Sequence, residues 1–217
     1  MNNAPQPGWF TYVAWTLTSA RLGPFVVPNA RRRQAVHILG SVVHEVEQVA
    51  GVDQVRVLEA TFIPPLRGGP RYDLVVLARG NAPVTDNLLA CSRAAGMPDP
   101  SFVATARNVV RFGDTEEPAG NILLNHFLGT TDASSAVDAW TSAARWYSDE
   151  LHVDNSTLLQ FEQPAEFLIM NYARIPGAVL PFMAQQLLRP SFYRQVQAVL
   201  RRTGVRPFPI FLKSAGS

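Results

Sequence analysis

The chain has 217 residues, 47% of them hydrophobic, and a net charge of only +2 at pH 7. That is apolar material enough for a substantial core in one domain or two, while no apolar run approaches the roughly 20 residues that span a bilayer. Acids are scattered among the arginines and no long basic stripe develops, which argues against a nucleic-acid partner. The polar start, Met1 to Pro7, lacks the charged-then-apolar pattern of a secretory signal, and one cysteine, Cys91, cannot close an intrachain disulfide. A cytoplasmic protein with no membrane partner is expected.

Taken in order, Phe10 to Leu17 reads as a strand, rich in aromatic and β-branched residues. A Gly23-Pro24 loop leads to Asn29, a suitable N-cap. From Arg31 to Ala50 the residues Ala35, Leu39, Val42, Val46 and Val49 recur at helical spacing, and Gly51 supplies a stop. Val55 to Ile63 and Tyr72 to Ala78 read as a hairpin of strands around a Pro- and Gly-rich turn. A short helix near Asp86 to Ala95 and a strand around Val109 to Phe112 follow. The acidic stretch Thr115 to Gly120 reads as a connection.

The same order then repeats. Asn121 to Leu128 reads as a strand. Asp132 offers a helix cap, and Val137, Trp140, Ala144, Tyr147 and Leu151 trace a helical stripe ending near His152. Thr157 to Glu162 and Phe167 to Arg174 are strands on either side of Gln163-Pro164. A long helix from about Leu180, interrupted at Pro190, runs to Arg202. The last strand, Pro207 to Leu212, carries two prolines and is therefore expected at an edge or terminus. Gap-free superposition of Gly8–Thr18 on Gly120–Thr130 supports a repeat, as do Ala78-Arg79 against Ala173-Arg174 and Pro100-Ser101-Phe102 against Pro190-Ser191-Phe192. The expected fold is α+β, a tandem duplication of a ferredoxin-like unit over residues 8–114 and 120–213, forming an intramolecular pseudo-dimeric barrel.

This element order resembles the dimeric α+β barrel superfamily, which includes monooxygenase-like, EthD-like and chlorite-dismutase-like proteins. The resemblance covers most of the chain and rests on element order. It implies a ligand between a sheet and its helices. It also allows haem, with His126 or His152 as the iron ligand, although no cofactor is called for by the residues themselves.

Polar residues interrupting the strands are the natural site candidates. Asn125 and His126 lie in mid-strand, where a buried polar group needs a partner or costs about 1 to 3 kcal/mol. Asn171, Tyr172 and Arg174 are the matching interruption two strands on, whereas the first copy has Val13, Ala14, Val76 and Leu77 at the corresponding positions. This asymmetry points to a site in the second half: His126, Asn125 and Tyr172 as catalytic groups, with Asn171, Arg174, Trp140 and Tyr147 holding the ligand. An imidazole there suits acid–base work or metal ligation; the competing account is a satisfied core histidine, and helically spaced aromatics are as readily core as pocket. His37 and His44 lie too far apart on their helix for a metal pair. Arg31-Arg32-Arg33 sits at a helix start, where it either meets an anion or reaches back to glutamates. No nucleotide, zinc-protease or serine-hydrolase motif is present. The expected function is binding, with oxidation, isomerisation or cyclisation, of a small apolar molecule by a monomer or homodimer. A non-catalytic binding or assembly module, with a filled sheet–helix space, is the alternative.

Overall fold

The structure, a computed structural model, describes residues 3–17, 21–116 and 120–215. Thr18 and residues 117–119 of the Thr115 to Gly120 connection lie outside the described residues. The first half runs β1 (Trp9–Trp15), a small hairpin of β2 (Arg21–Leu22) and β3 (Phe25–Val26), α1 (Ala30–Glu47), β4 (Val52–Phe62), β5 (Leu74–Gly80), α2 (Thr85–Ala94) and β6 (Phe102–Phe112). The second runs β7 (Asn121–Gly129), α3 (Ala133–Leu151), β8 (Ser156–Phe161), β9 (Ile169–Ile175), α4 (Val179–Leu187), a π-helix (Phe192–Gln197), α5 (Ala198–Arg202) and β10 (Val205–Ser214).

Within each half the four long strands pair antiparallel, and two further pairings join the halves. β6 pairs with β8, and β10 reaches β4 over Phe211↔Phe62 to Ser214↔Leu58. The order β10-β7-β9-β8-β6-β1-β5-β4 thus closes into an eight-stranded barrel, with β3 and β2 appended to β4. This is the pseudo-dimeric α+β barrel expected from the element order. Strand alternation sorts the core into three parts. Tyr12, Ala14, Leu77, Leu124, Tyr172 and Phe208 fill the barrel. Val13, Trp15, Val76 and Leu74 meet α1 and α2 outside the first half. Leu123, Phe127, Ala173 and Phe211 meet α3 and the C-terminal helices outside the second.

Several local readings shift. β6 begins at Phe102, seven residues before the Val109 expected, because its inward positions are the small Ala104 and Ala106 and one outward position is Arg107, which lies 3.6 Å over the Trp9 ring. A strand assembled from alanine, threonine and arginine has little apolar alternation to show. The β2–β3 hairpin, two residues a strand, is also below what pattern can reveal. The long C-terminal helix ends at Leu187, and beyond Pro190, which lacks the amide hydrogen a helix needs, it resumes with a π turn. β10 keeps to expectation: its prolines lie opposite Phe127 and Asn125 of β7, in the open-edged stretch that β4 does not reach. The caps follow expectation, Asn29 accepting from the Arg32 amide and Asp132 from that of Ser135. Arg32 itself is buried. It donates to the Ala60 carbonyl at 2.5 Å and pairs with Glu59 at 3.3 Å, so an internal glutamate answers the arginine cluster at the helix start.

The turn after β6 depends on Gly113, whose φ is +60° and where a Cβ would sit 2.0 Å from the Asp154 carbonyl oxygen. Replacing Gly113 by Ala adds left-handed strain to a backbone clash. The expected loss is about 2 kcal/mol or more of unfolding free energy, read by urea titration.

Candidate functional site

Because adjacent strand residues face opposite ways, the polar interruptions separate into two places. Asn125 and Asn171 are cross-strand partners on β7 and β9 and face α3 and the C-terminal helices. His126 and Tyr172 point the other way, into the barrel. The residues expected to form one site therefore do not converge, and His126 cannot act on anything held against the helices.

The outward pair floors a cavity of ≈ 190 Å³ between the second-half sheet and its helices. Trp140 and Tyr147 of α3, Phe182 of α4, Phe192 and Val196 of the π-helix and Phe211 of β10 wall it. Its polar groups are few. The Asn171 Oδ1 accepts a hydrogen bond from the Ser156 hydroxyl, Tyr147 donates to Gln186 Oε1 at 2.8 Å, and the buried Asn125 Oδ1 has no partner. Among the described residues, no Asp, Glu, His, Lys, Arg or Cys touches the cavity. Tyr147 is its one titratable group, and burial raises its pKa, so the phenol is protonated at every ordinary pH. Of the residues expected at a site, Asn171, Asn125, Trp140 and Tyr147 come together around this cavity. Sequence reasoning missed Ser156, Gln186 and the π-helix residues, which arrive from elements whose register only the closed sheet defines. The pseudo-equivalent pair in the first half, Val13 and Val76 on β1 and β5, packs into a filled apolar layer.

Inside the barrel, His126 is fully buried and its Nε2 lies 2.8 Å from the Tyr12 hydroxyl. Tyr72, Phe102, Phe161 and Phe167 ring this pair, with ring centroids 5.1 to 6.4 Å from that of Tyr12 or His126. Burial pulls the His126 pKa down to about 3, with the Phe208 backbone carbonyl opposing, and pushes that of Tyr12 well up. Both are neutral near pH 7. Tyr172 lies at the far end of the barrel, where its hydroxyl accepts from Arg56 at 2.7 Å. Arg56 also donates to the Thr115 and Glu116 carbonyls, and the Glu116 carboxylate binds Arg79 and Gln6, so the connecting segment stoppers that end. Arg174 is turned to the Asp114 carbonyl, 2.8 Å away, and stands off the cavity.

Haem does not fit the cavity. None of the four histidines lines it: His126 is inside the barrel, His152 is the exposed left-handed cap of α3, and His37 and His44 are exposed on α1. Its volume is also below the range of about 300 to 1,000 Å³ common for larger ligands. Among the described residues, no three His, Cys, Asp or Glu side chains gather to hold a metal, and no helix is long and apolar enough to cross a membrane.

Comparison with solved structures places this arrangement in a known architecture. An anthrone oxidase-like protein superposes over 96% of this chain and 93% of its own with a TM-score of 0.55 at 8% identity. A variant of chlorite dismutase from Candidatus Nitrospira defluvii matches 94% of this chain and 90% of its own, with a TM-score of 0.53 at 10% identity. A major regulator of staphylococcal pathogenesis matches over 94% and 98%, at 0.51 and 8%. The chain shares the dimeric α+β barrel fold of chlorite-dismutase-like and monooxygenase-like structures. No protein-family model and no curated protein sequence matches the chain.

The Tyr12–His126 pair makes stability depend on pH with a definite sign. With a folded pKa near 3 and an unfolded value of about 6.5, the unfolded chain binds the extra proton between these limits. Stability is therefore full above about pH 6.5 and falls toward pH 3, by up to about 1.4 kcal/mol per pH unit. Urea unfolding at a series of pH values should show this slope in the wild type and lose most of it in His126→Gln.

Proposed function

We propose that the chain binds a small, uncharged, mostly apolar molecule in the second-half cavity, with the Asn125 and Asn171 amides holding its polar group. The observation that carries this reading is the exchange of an apolar cross-strand pair, Val13 and Val76, for two amides at the matching positions, one with a buried oxygen that no protein group satisfies. An unpaired buried acceptor costs about 1 to 3 kcal/mol, and a ligand hydroxyl or N–H would recover it. The absence of charge on the lining favours a neutral ligand. The size, comparable with apolar cavities of about 150 Å³ that admit benzene, favours one or two rings.

Chemistry on such a ligand would depend on the amides. They can donate to an oxygen that gains negative charge, and since no described lining residue is a general base, they support binding and orientation and no step that removes a proton. The anthrone oxidase-like protein of the same fold is compatible with oxidation, for which this cavity supplies binding and orientation. The assembly-module alternative called for a filled sheet–helix space, and the cavity beneath α3 and the C-terminal helices speaks against it in the second half.

2-Naphthol, an apolar bicycle with one hydroxyl donor, is a direct probe. It should raise the melting temperature, by roughly 5 to 10 °C at about a hundredfold excess over its Kd, and naphthalene should do so less. Asn125→Val should weaken 2-naphthol binding about fivefold, the worth of one hydrogen bond, and leave naphthalene unchanged. Calorimetry showing neither compound bound, or both bound equally by the two proteins, would exclude the assignment.

A further inference from the structure

Large exposed apolar side chains are concentrated in one region. Leu22 (75% exposed), Phe25 and Val27 come from the β2–β3 hairpin, Leu66 from the loop after β4, and Leu187, Leu188 (81%) and Tyr193 from α4 and the start of the π-helix. These segments meet around the cavity mouth. Leu66 and Leu187 both line the cavity. Phe25 packs on Phe62, Phe62 on Phe211 and Phe211 on Phe182, with ring centroids 5.3, 5.7 and 6.3 Å apart, joining the hairpin to α4. The Tyr193 hydroxyl donates to the Leu187 carbonyl at 3.0 Å. Exposed apolar residues gathered in one collar mark an interaction surface, where scattered ones would not.

Charge says what the collar meets. Acids and bases nearly balance along the chain, but the acids, interspersed there with arginines, are confined to residues 45–166. There is no Asp or Glu before Glu45 and none after Glu166, a final stretch that carries six arginines and Lys213. The loop from Ile63 to Tyr72 adds Arg67 and Arg71 and no acid. Arg21 is paired with Asp73 and Arg189 with Glu150, yet Arg67, Arg71, Arg194 and Arg206 make no ion pair among the described residues and are exposed. Arg206 donates to the Arg67 carbonyl, tying β10 to the loop that bears Leu66. Apolar side chains flanked by unpaired arginines are the composition of an interfacial membrane contact, where the first enter the headgroup boundary and the second meet anionic lipid.

We propose that this collar docks on an anionic lipid surface, so that the cavity opens toward the layer in which a small apolar ligand concentrates. This departs from the expectation of no membrane partner, which rested on the absence of a spanning segment. It builds on the ligand-binding reading above and extends it to where the ligand comes from.

The test is co-sedimentation of the full chain with vesicles of phosphatidylcholine alone and of phosphatidylcholine mixed with phosphatidylglycerol, at low and high salt. The protein should pellet with the mixed vesicles at low salt and be released at high salt. Leu22→Ser with Leu188→Ser, both on exposed side chains away from the cavity, should lower vesicle binding at least tenfold. Arg67→Gln and Arg194→Gln should each lower it about fivefold. All four should keep the wild-type response to 2-naphthol in vesicle-free buffer, which separates failure of docking from failure of the cavity assignment. No association with either vesicle, or association indifferent to these substitutions, would overturn the proposal. So would a dimer in gel filtration that the Leu22 and Leu188 substitutions dissociate, since a second copy would then cover the collar.

Discussion

A barrel closed by backbone hydrogen bonds allows each strand residue two destinations, the interior or the layer under the helices, and closure forbids a strand from sliding to choose again. Here closure depends on two pairings between the halves, β6 with β8 and β10 with β4. Slipping either by one residue would exchange inward and outward side chains along the strand, so the placement of His126 inside and Asn125 outside is a consequence of these seams. The cavity, the buried tyrosine–histidine pair and the stoppered barrel end all inherit their composition from that alternation.

The two halves use the same backbone plan with different side chains. Where the first half places Val13 and Val76 against α1 and α2, the second places Asn125 and Asn171 against α3 and the C-terminal helices. Where the first sends Ala14 and Leu77 inward, the second sends His126 and Tyr172. One substituted pair furnishes a cavity floor and the other furnishes polar contacts across the barrel, since Tyr12 and Arg56, the partners of His126 and Tyr172, both come from the first half. The inward pair thus fastens one half to the other through hydrogen bonds in a low-dielectric interior, where such bonds are strong and costly to leave unmade.

Much of this was legible in the sequence, for identifiable reasons. The helices under Ala35, Leu39 and Val42 and under Trp140 and Tyr147 announce themselves by spacing, and Asn29, Asp132 and Gly51 mark their ends. The superposition of Gly8–Thr18 on Gly120–Thr130 matched Val13 with Asn125 and Ala14 with His126, and these pairs share their facing in the structure. What stayed hidden is the sign of that facing: alternation says that Asn125 and His126 oppose each other, and only packing of the whole barrel says which is inside. The start of β6 escaped because alanine fills narrow interior positions without an apolar signature. Arg32 escaped because a buried guanidinium depends on Glu59 and the Ala60 carbonyl, 27 and 28 residues on in sequence and adjacent only after α1 has docked.

The two prolines of β10 have an effect beyond shaping the strand. Between Pro207 and Ile210 that strand pairs with β7 on one side and has lost β4 on the other, leaving a length of open strand edge in an otherwise closed wall. Residues 207 and 209 direct their backbone nitrogens to the same side, and β7 takes the hydrogen bonds of the other. With proline at both, the open side has no amide hydrogens to offer there, so another polypeptide arriving in extended form would find acceptors without donors. The gap in the wall is thereby kept from recruiting a neighbouring molecule into a continuous sheet, which guards the protein against fibrous self-association along this edge.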